Sequence, residues 1–260
     1  MEIINLDQLR IIAGQRKLNI IMIEKDYLVT LLLYLIKDVP GIYFKGGTAL
    51  NKLYLNHKRL SEDLDFSLTR NIKDVEGDIR KALEGSIFTL VSKGKEVEGF
   101  TRLIVHYKLF HDEGKIFVDL NQKATILLKP QLKKVEHFYL DHIPEFSVHC
   151  LHIKELIAEK VRATASRYKP RDYVDLYEII NNKLPISIPL VKKKFEAINE
   201  IFSVNLLFVH TNKIYNTWEK DLSVLMTEQK PFKEVMSVIA TYFHYKEYKA
   251  KKLKNNKGSN

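Results

Sequence analysis

One cysteine, Cys150, and one tryptophan, Trp218, occur in 260 residues. A lone thiol excludes an intrachain disulfide, and a reducing cytoplasm is the expected compartment. Glycine (10) and proline (7) are sparse, and neither an internal repeat nor a low-complexity linker is present. The opening Met-Glu-Ile-Ile-Asn-Leu-Asp has no basic stretch followed by an apolar one, so a signal peptide is not expected. The longest apolar run, Leu28 to Ile36, is bounded by Asp26 and by Lys37-Asp38. It falls well short of the ~20 residues a membrane helix needs. The nine histidines show no metal-ligand spacing. Trp218 and most of the Phe and Tyr residues are expected in the core.

Hydrophobic residues make up 45% of a 30.4 kDa chain and charged residues 28%, enough for one large core or two small ones. The formal charge is +10 and the pI about 9.3. Surplus Lys and Arg attract polyanions by counterion release, which makes nucleic acid the first partner to consider. Part of that surplus lies in a lysine run after Tyr245, which reads equally as a solvated terminus.

Periodicity predicts helices from about Leu6 to Lys37, ended by Pro40-Gly41. A short strand at Ile42–Phe44, a glycine turn, a helix to about Leu55 and a strand at Leu64–Leu68 follow. Residues 71–86 read as helix. Phe100–Phe110 and Lys115–Asn121 read as strands joined by a loop at His111–Gly114. Residues 125–150 look irregular. Helices are then expected at 153–167, 171–182 and 188–202, with two more between Ile214 and Tyr248 parted near Pro231. This gives domains at 1–148 and 149–250, and a basic, disordered tail at 251–260.

Two short strings stand out, Lys45-Gly46-Gly47-Thr48-Ala49-Leu50 and Ser61-Glu62-Asp63-Leu64-Asp65-Phe66. The second reads as a strand, so Asp63 and Asp65 project to one side while Leu64 and Phe66 enter the core. Paired acids repel unless a cation neutralises them, and Mg²⁺ with substrate phosphates is their common partner. Paired glycines ahead of a helix offer close backbone approach and free N–H groups to those phosphates.

Further on stand Glu155-Leu156-Ile157-Ala158-Glu159-Lys160-Val161-Arg162-Ala163 and Lys169-Pro170-Arg171-Asp172-Tyr173-Val174-Asp175-Leu176. With these four motifs in order, the chain resembles the AbiEii-type toxins of type IV toxin–antitoxin systems, within the DNA polymerase β-like nucleotidyltransferase superfamily. The gap from Gly47 to Asp63, long for the superfamily at large, suits that branch. The resemblance implies an α+β fold, a polymerase β-like core with a small mixed sheet followed by a C-terminal helical bundle. It also implies transfer of NMP from an NTP to RNA, with the tRNA 3′ end as favoured acceptor, a block to translation, and a cognate antitoxin encoded nearby. Two-metal catalysis with Mg²⁺ or Mn²⁺ belongs to the same expectation.

Asp63 and Asp65 are the expected metal ligands. By the resemblance Asp119 is the third carboxylate, on a strand face with Phe117; an edge-strand acid facing water is the other reading. Gly46, Gly47, Thr48, Ser61 and Arg59 are candidate nucleotide contacts, and Lys45 and Lys52 flank the turn. Lys160 lies on the packed side of its helix and corresponds to the family's triphosphate-binding lysine; a lysine reaching water along an apolar surface is the alternative. The acidic motif covers Asp172 and Asp175, and spacing does not choose between them. Phosphorylation at Ser61 would set negative charge beside the site and block it. Arg162, Arg167, Lys169 and Arg171, with Tyr168 and Tyr173 among them, could hold an RNA backbone. A protein or small-molecule acceptor such as an aminoglycoside, or an inactive nucleotide- or RNA-binding module, are the alternatives.

Overall fold

The computed structural model describes residues 3–110, 113–226 and 228–246. The expected tail at 251–260 and the loop acid Asp112 lie outside the described residues. The chain divides into two compact units, Met1–His152 and Ile153–Asn260.

The first unit opens with α1 (Leu6–Arg16) and α2 (Ile20–Ile36). A reciprocal cap starts α1: Asn5 Oδ1 accepts from the Gln8 amide at 3.0 Å and Gln8 Oε1 from the Asn5 amide at 3.2 Å. Most of α2 beyond Glu24 is buried, with apolar side chains all round, the signature of a helix enclosed by its neighbours rather than laid on a surface. Then come β1 (Ile42–Lys45), α3 (Gly46–Leu53), β2 (Leu64–Leu68), α4 (Ile72–Ala82), β3 (Phe88–Val97), β4 (Phe100–Lys108), β5 (Glu113–Asn121), β6 (Gln131–Lys134) and β7 (Ser147–Cys150).

The strands form one sheet among the described residues, ordered β3-β4-β5-β2-β1-β7-β6. It is mixed, with β2 parallel to β5, β1 parallel to β7 and the other pairs antiparallel. Leu103, Val105, Ile116, Val118 and Leu120 point into the core. Arg102, Ile104, Phe117 and Asp119 take the opposite, half-buried face, as period-2 alternation requires.

Several expectations need correction. Asp63 stands just before β2 rather than inside a strand. Glu113 and Gly114 open β5 instead of lying in the hairpin loop. The helix expected over 71–86 ends at Ala82, and the one expected to reach 202 ends at Glu196. The stretch 125–150, read as irregular, holds β6 and β7. These strands of four residues sit at one side of the sheet, too short to show a period.

The second unit is helical: α5 (Ile153–Arg167), α6 (Pro170–Asn181), α7 (Ile188–Glu196), α8 (Thr211–Ser223) and α9 (Phe232–Tyr242). Pro170 occupies the first turn of α6, where its missing N–H costs nothing. There α5 packs on α6 and α7, and α6 also packs on α8 and α9. Among the described residues no helix is long and apolar enough to cross a membrane.

Candidate active site

The turn from β1 into α3 is built on Gly46, whose φ of +79° lies in the left-handed region that favours glycine. A Cβ there would stand 2.8 Å from Asp65 Cγ and closer still to Oδ2. Glycine is therefore required twice, by backbone angle and by the carboxylate pressed against it. Sheet register extends the contact: Lys45 faces Asp65 across β1–β2, Asp65 faces Asp119 across β2–β5, and Asp119 faces Arg102 across β5–β4. One row thus crosses four strands as Lys45, Asp65, Asp119 and Arg102.

Arg102 was not anticipated from sequence. Its guanidinium forks onto Asp119, Nε donating to Oδ1 and Nη2 to Oδ2, both at 2.7 Å. It also lies over the Phe117 ring, 4.7 Å from the centroid. The hydrogen bonds that Arg102 donates to Asp119 raise the Arg102 pKa above its ordinary value, against the opposing effect of desolvation. The charges of Asp119, Asp63 and Asp65 act in the same direction.

The other predicted groups of this unit gather nearby, some in unexpected roles. Thr48 is buried, and its hydroxyl bonds to Ser61 Oγ at 2.7 Å and to the Asp63 carbonyl oxygen. It fastens α3 to the segment that leads into the acids. Within α3 the Gly47 carbonyl accepts from Asn51 Nδ2 at 3.1 Å. Arg59 is 4% exposed, with Nη1 donating to the Leu60 carbonyl and its amide to Asn51 Oδ1. Lys52, read as a flanking cation, is instead in the core. It bonds Asp26 Oδ1 at 2.8 Å and Thr30 Oγ1 at 2.9 Å, while Tyr139 donates to Asp26 Oδ2 at 3.0 Å. Burial pushes the Asp26 pKa up, but the charges of Lys52 and His57 and these hydrogen bonds outweigh it and leave the pKa lowered. His57, held against the Glu136 carbonyl, is pushed down to about 4 by burial and by Lys52.

Lys160, Asp172 and Asp175 meet in the helical unit. The Lys160 ammonium lies 2.7 Å from Asp172 Oδ1 and 2.8 Å from Asp175 Oδ2, with all three side chains under a tenth exposed. The lysine does not run along a surface to water; it is enclosed between two acids. The same α5 places Glu155 and Glu159 on Lys194 of α7, at 2.6 and 2.9 Å. The glutamates of the lysine motif thus grip a neighbouring helix, a role the sequence did not suggest. Tyr173 is fully buried, its hydroxyl on the Leu207 carbonyl at 3.0 Å, so it leaves the aromatic–basic patch. Arg167, Lys169 and Arg171 are exposed, and Tyr168 packs on His210.

Among the described residues no three His, Cys, Asp or Glu side chains are already gathered to hold a metal ion. The nucleotidyltransferase toxin MenT4 of Mycobacterium tuberculosis superposes with a TM-score of 0.69 at 20% identity, over 92% of this chain and 88% of that one. JHP933 of Helicobacter pylori superposes at 0.52 and 20% identity, over 91% and 97%. Both likenesses concern the fold. No curated protein sequence gives a significant match. The sequence profile of the nucleotidyl transferase AbiEii toxins, type IV toxin–antitoxin systems, matches residues 32–240, a span that holds the glycine turn, the row of acids and the buried lysine. The chain belongs to this family of NTP-using nucleotidyltransferase toxins.

Proposed function

We propose that this toxin transfers a nucleoside monophosphate from an NTP to the 3′ end of an RNA, with tRNA as the favoured acceptor, and thereby stops translation. One observation carries the site assignment: Asp65 presses on the Gly46 turn and faces Asp119 across parallel strands. Such a turn brings backbone close to a triphosphate at the start of α3, while the acids lie one strand away.

An all-carboxylate donor set suits a hard divalent cation, and an open one suits Mg²⁺ or Mn²⁺, which take part of their coordination from substrate phosphates and water. Asp63 and Asp65 would hold the metal. When bound, it supplies charge neutralisation of the triphosphate and activation of the acceptor hydroxyl. In the transfer the acceptor 3′-oxygen bonds to the α-phosphorus, the α-phosphorus–oxygen bond toward the β-phosphate breaks in line, and pyrophosphate leaves. Asp119, on the half-buried face, either ligates that metal or acts as general base for the hydroxyl proton. Gly46 and Gly47 offer backbone to the phosphates; the family resemblance alone marks Lys160, held by Asp172 and Asp175, as the triphosphate cation. The RNA acceptor is supported by the charge of +10 and by exposed Arg167, Lys169 and Arg171. Cytoplasmic action and a cognate antitoxin partner complete the reading; the antitoxin follows from the family.

The test incubates the protein with total RNA and each α-labelled NTP in Mg²⁺ or Mn²⁺. Label in a tRNA-sized band for one nucleotide is expected, and it should vanish in Asp63→Ala and Asp65→Ala. Label on protein would move the acceptor to another class. Equal labelling by a folded double variant would refute the site.

A further inference from the structure

We infer that Arg102 is the resident countercharge of Asp119 in this row and that a divalent cation binds there only in competition with it. The inference rests on the metal assignment above and goes beyond it. The guanidinium is fixed by geometry: both Asp119 oxygens are engaged at 2.7 Å, and the Phe117 ring lies 4.7 Å beneath it. Register places Asp65 directly beyond Asp119 in the same row. The opposing strand position could hold any residue that fits an open face. It holds the one cation able to occupy both oxygens of a carboxylate at once.

The consequence is an order of loading. A bare metal ion must enter against a positive charge that already satisfies Asp119. A metal–triphosphate complex arrives with phosphate oxygens that give Arg102 a replacement partner, so the fork can transfer from Asp119 to phosphate. Arg102 would then weaken binding of free metal and favour the complex, acting as a positioning residue for Asp119. A merely structural cross-strand ion pair predicts the opposite, because its loss would leave Asp119 less ordered and a poorer ligand.

Mn²⁺ titration of the full-length, nucleotide-free protein by calorimetry separates the two. Arg102→Gln should bind Mn²⁺ about tenfold tighter than the unaltered chain, and Arg102→Lys, which keeps the charge, should stay within about threefold of it. Arg102→Met serves as a second neutral replacement should Arg102→Gln fail a thermal melt. The gain should disappear when Asp65→Asn is combined with the neutral replacement. Unchanged or weaker Mn²⁺ binding in the neutral variants, or an equal gain in Arg102→Lys, overturns the inference while leaving the metal site standing. Absence of Mn²⁺ binding in every variant overturns both this inference and the metal assignment.

Discussion

Gly46 shows how much one residue can carry. Any side chain there meets the Asp65 carboxylate and must adopt a positive φ, a conformation that costs an L residue roughly 1–2 kcal/mol. Gly46→Ala is expected to lower nucleotide transfer by at least about a hundredfold while shifting the melting temperature by only a few degrees, since a misplaced reacting group costs far more in rate than in stability. Transfer assays beside thermal melts check this; full activity would show that the turn does not cradle phosphate. His57 gives a pH prediction. Its pKa is pushed down to about 4 from an ordinary 6.5, by burial first. Between those values the unfolded chain binds more protons than the folded one, so stability should rise with pH across that window and level off above it. Urea titrations should show the slope, and His57→Gln should flatten it. Asp26 acts in a separate, more acidic window, because its lowered pKa yields stability that is lost only as pH falls below the ordinary carboxylate range.

At the scale of elements, the two lysine-centred ion clusters on α5 have a consequence for mutagenesis. Removing one partner of a buried pair costs about 3–5 kcal/mol because it strands a charge. Lys194→Met leaves Glu155, fully buried, and Glu159 without this partner, and should lower the urea midpoint accordingly. Asp63→Ala, on the half-buried face, should leave the midpoint nearly unchanged. Lys160→Ala would confound chemistry with folding for the same reason, so its effect on NTP use must be read in protein shown to be folded. The hairpin teaches a lesson about register. A loop at 111–114 would have placed His106 opposite Asp119. The strands instead pair Lys108 with Glu113, which brings Arg102 there. Misplacing a turn by two residues moves every cross-strand partner by four. The strand β3 gave no signal because Gly94 and charged residues interrupt its alternation.

For the whole molecule, the charge of +10 makes RNA affinity a steep function of salt. The logarithm of the binding constant should fall linearly with the logarithm of salt concentration, at about −0.7 per phosphate contacted for a single strand. Arg171→Gln should reduce that slope by less than about one unit while leaving the fold intact. Filter binding across a salt series measures both, and a salt-independent affinity would remove RNA as the acceptor.

The local chemistry was written in the chain itself. Four motifs in order named the family, and the glycine pair, the acids and the lysine are each recognisable from neighbours a few residues away. Helix ends marked by prolines and caps were legible for the same reason. What the sequence could not state is which residues meet across strands and helices: Arg102 on Asp119, Lys52 on Asp26, Lys194 on two glutamates. Those partners lie 17 to 39 residues apart. Pairing at that distance is decided by strand register and helix packing, which bury the whole apolar face at once and leave each charge to the partner that the fold brings to it.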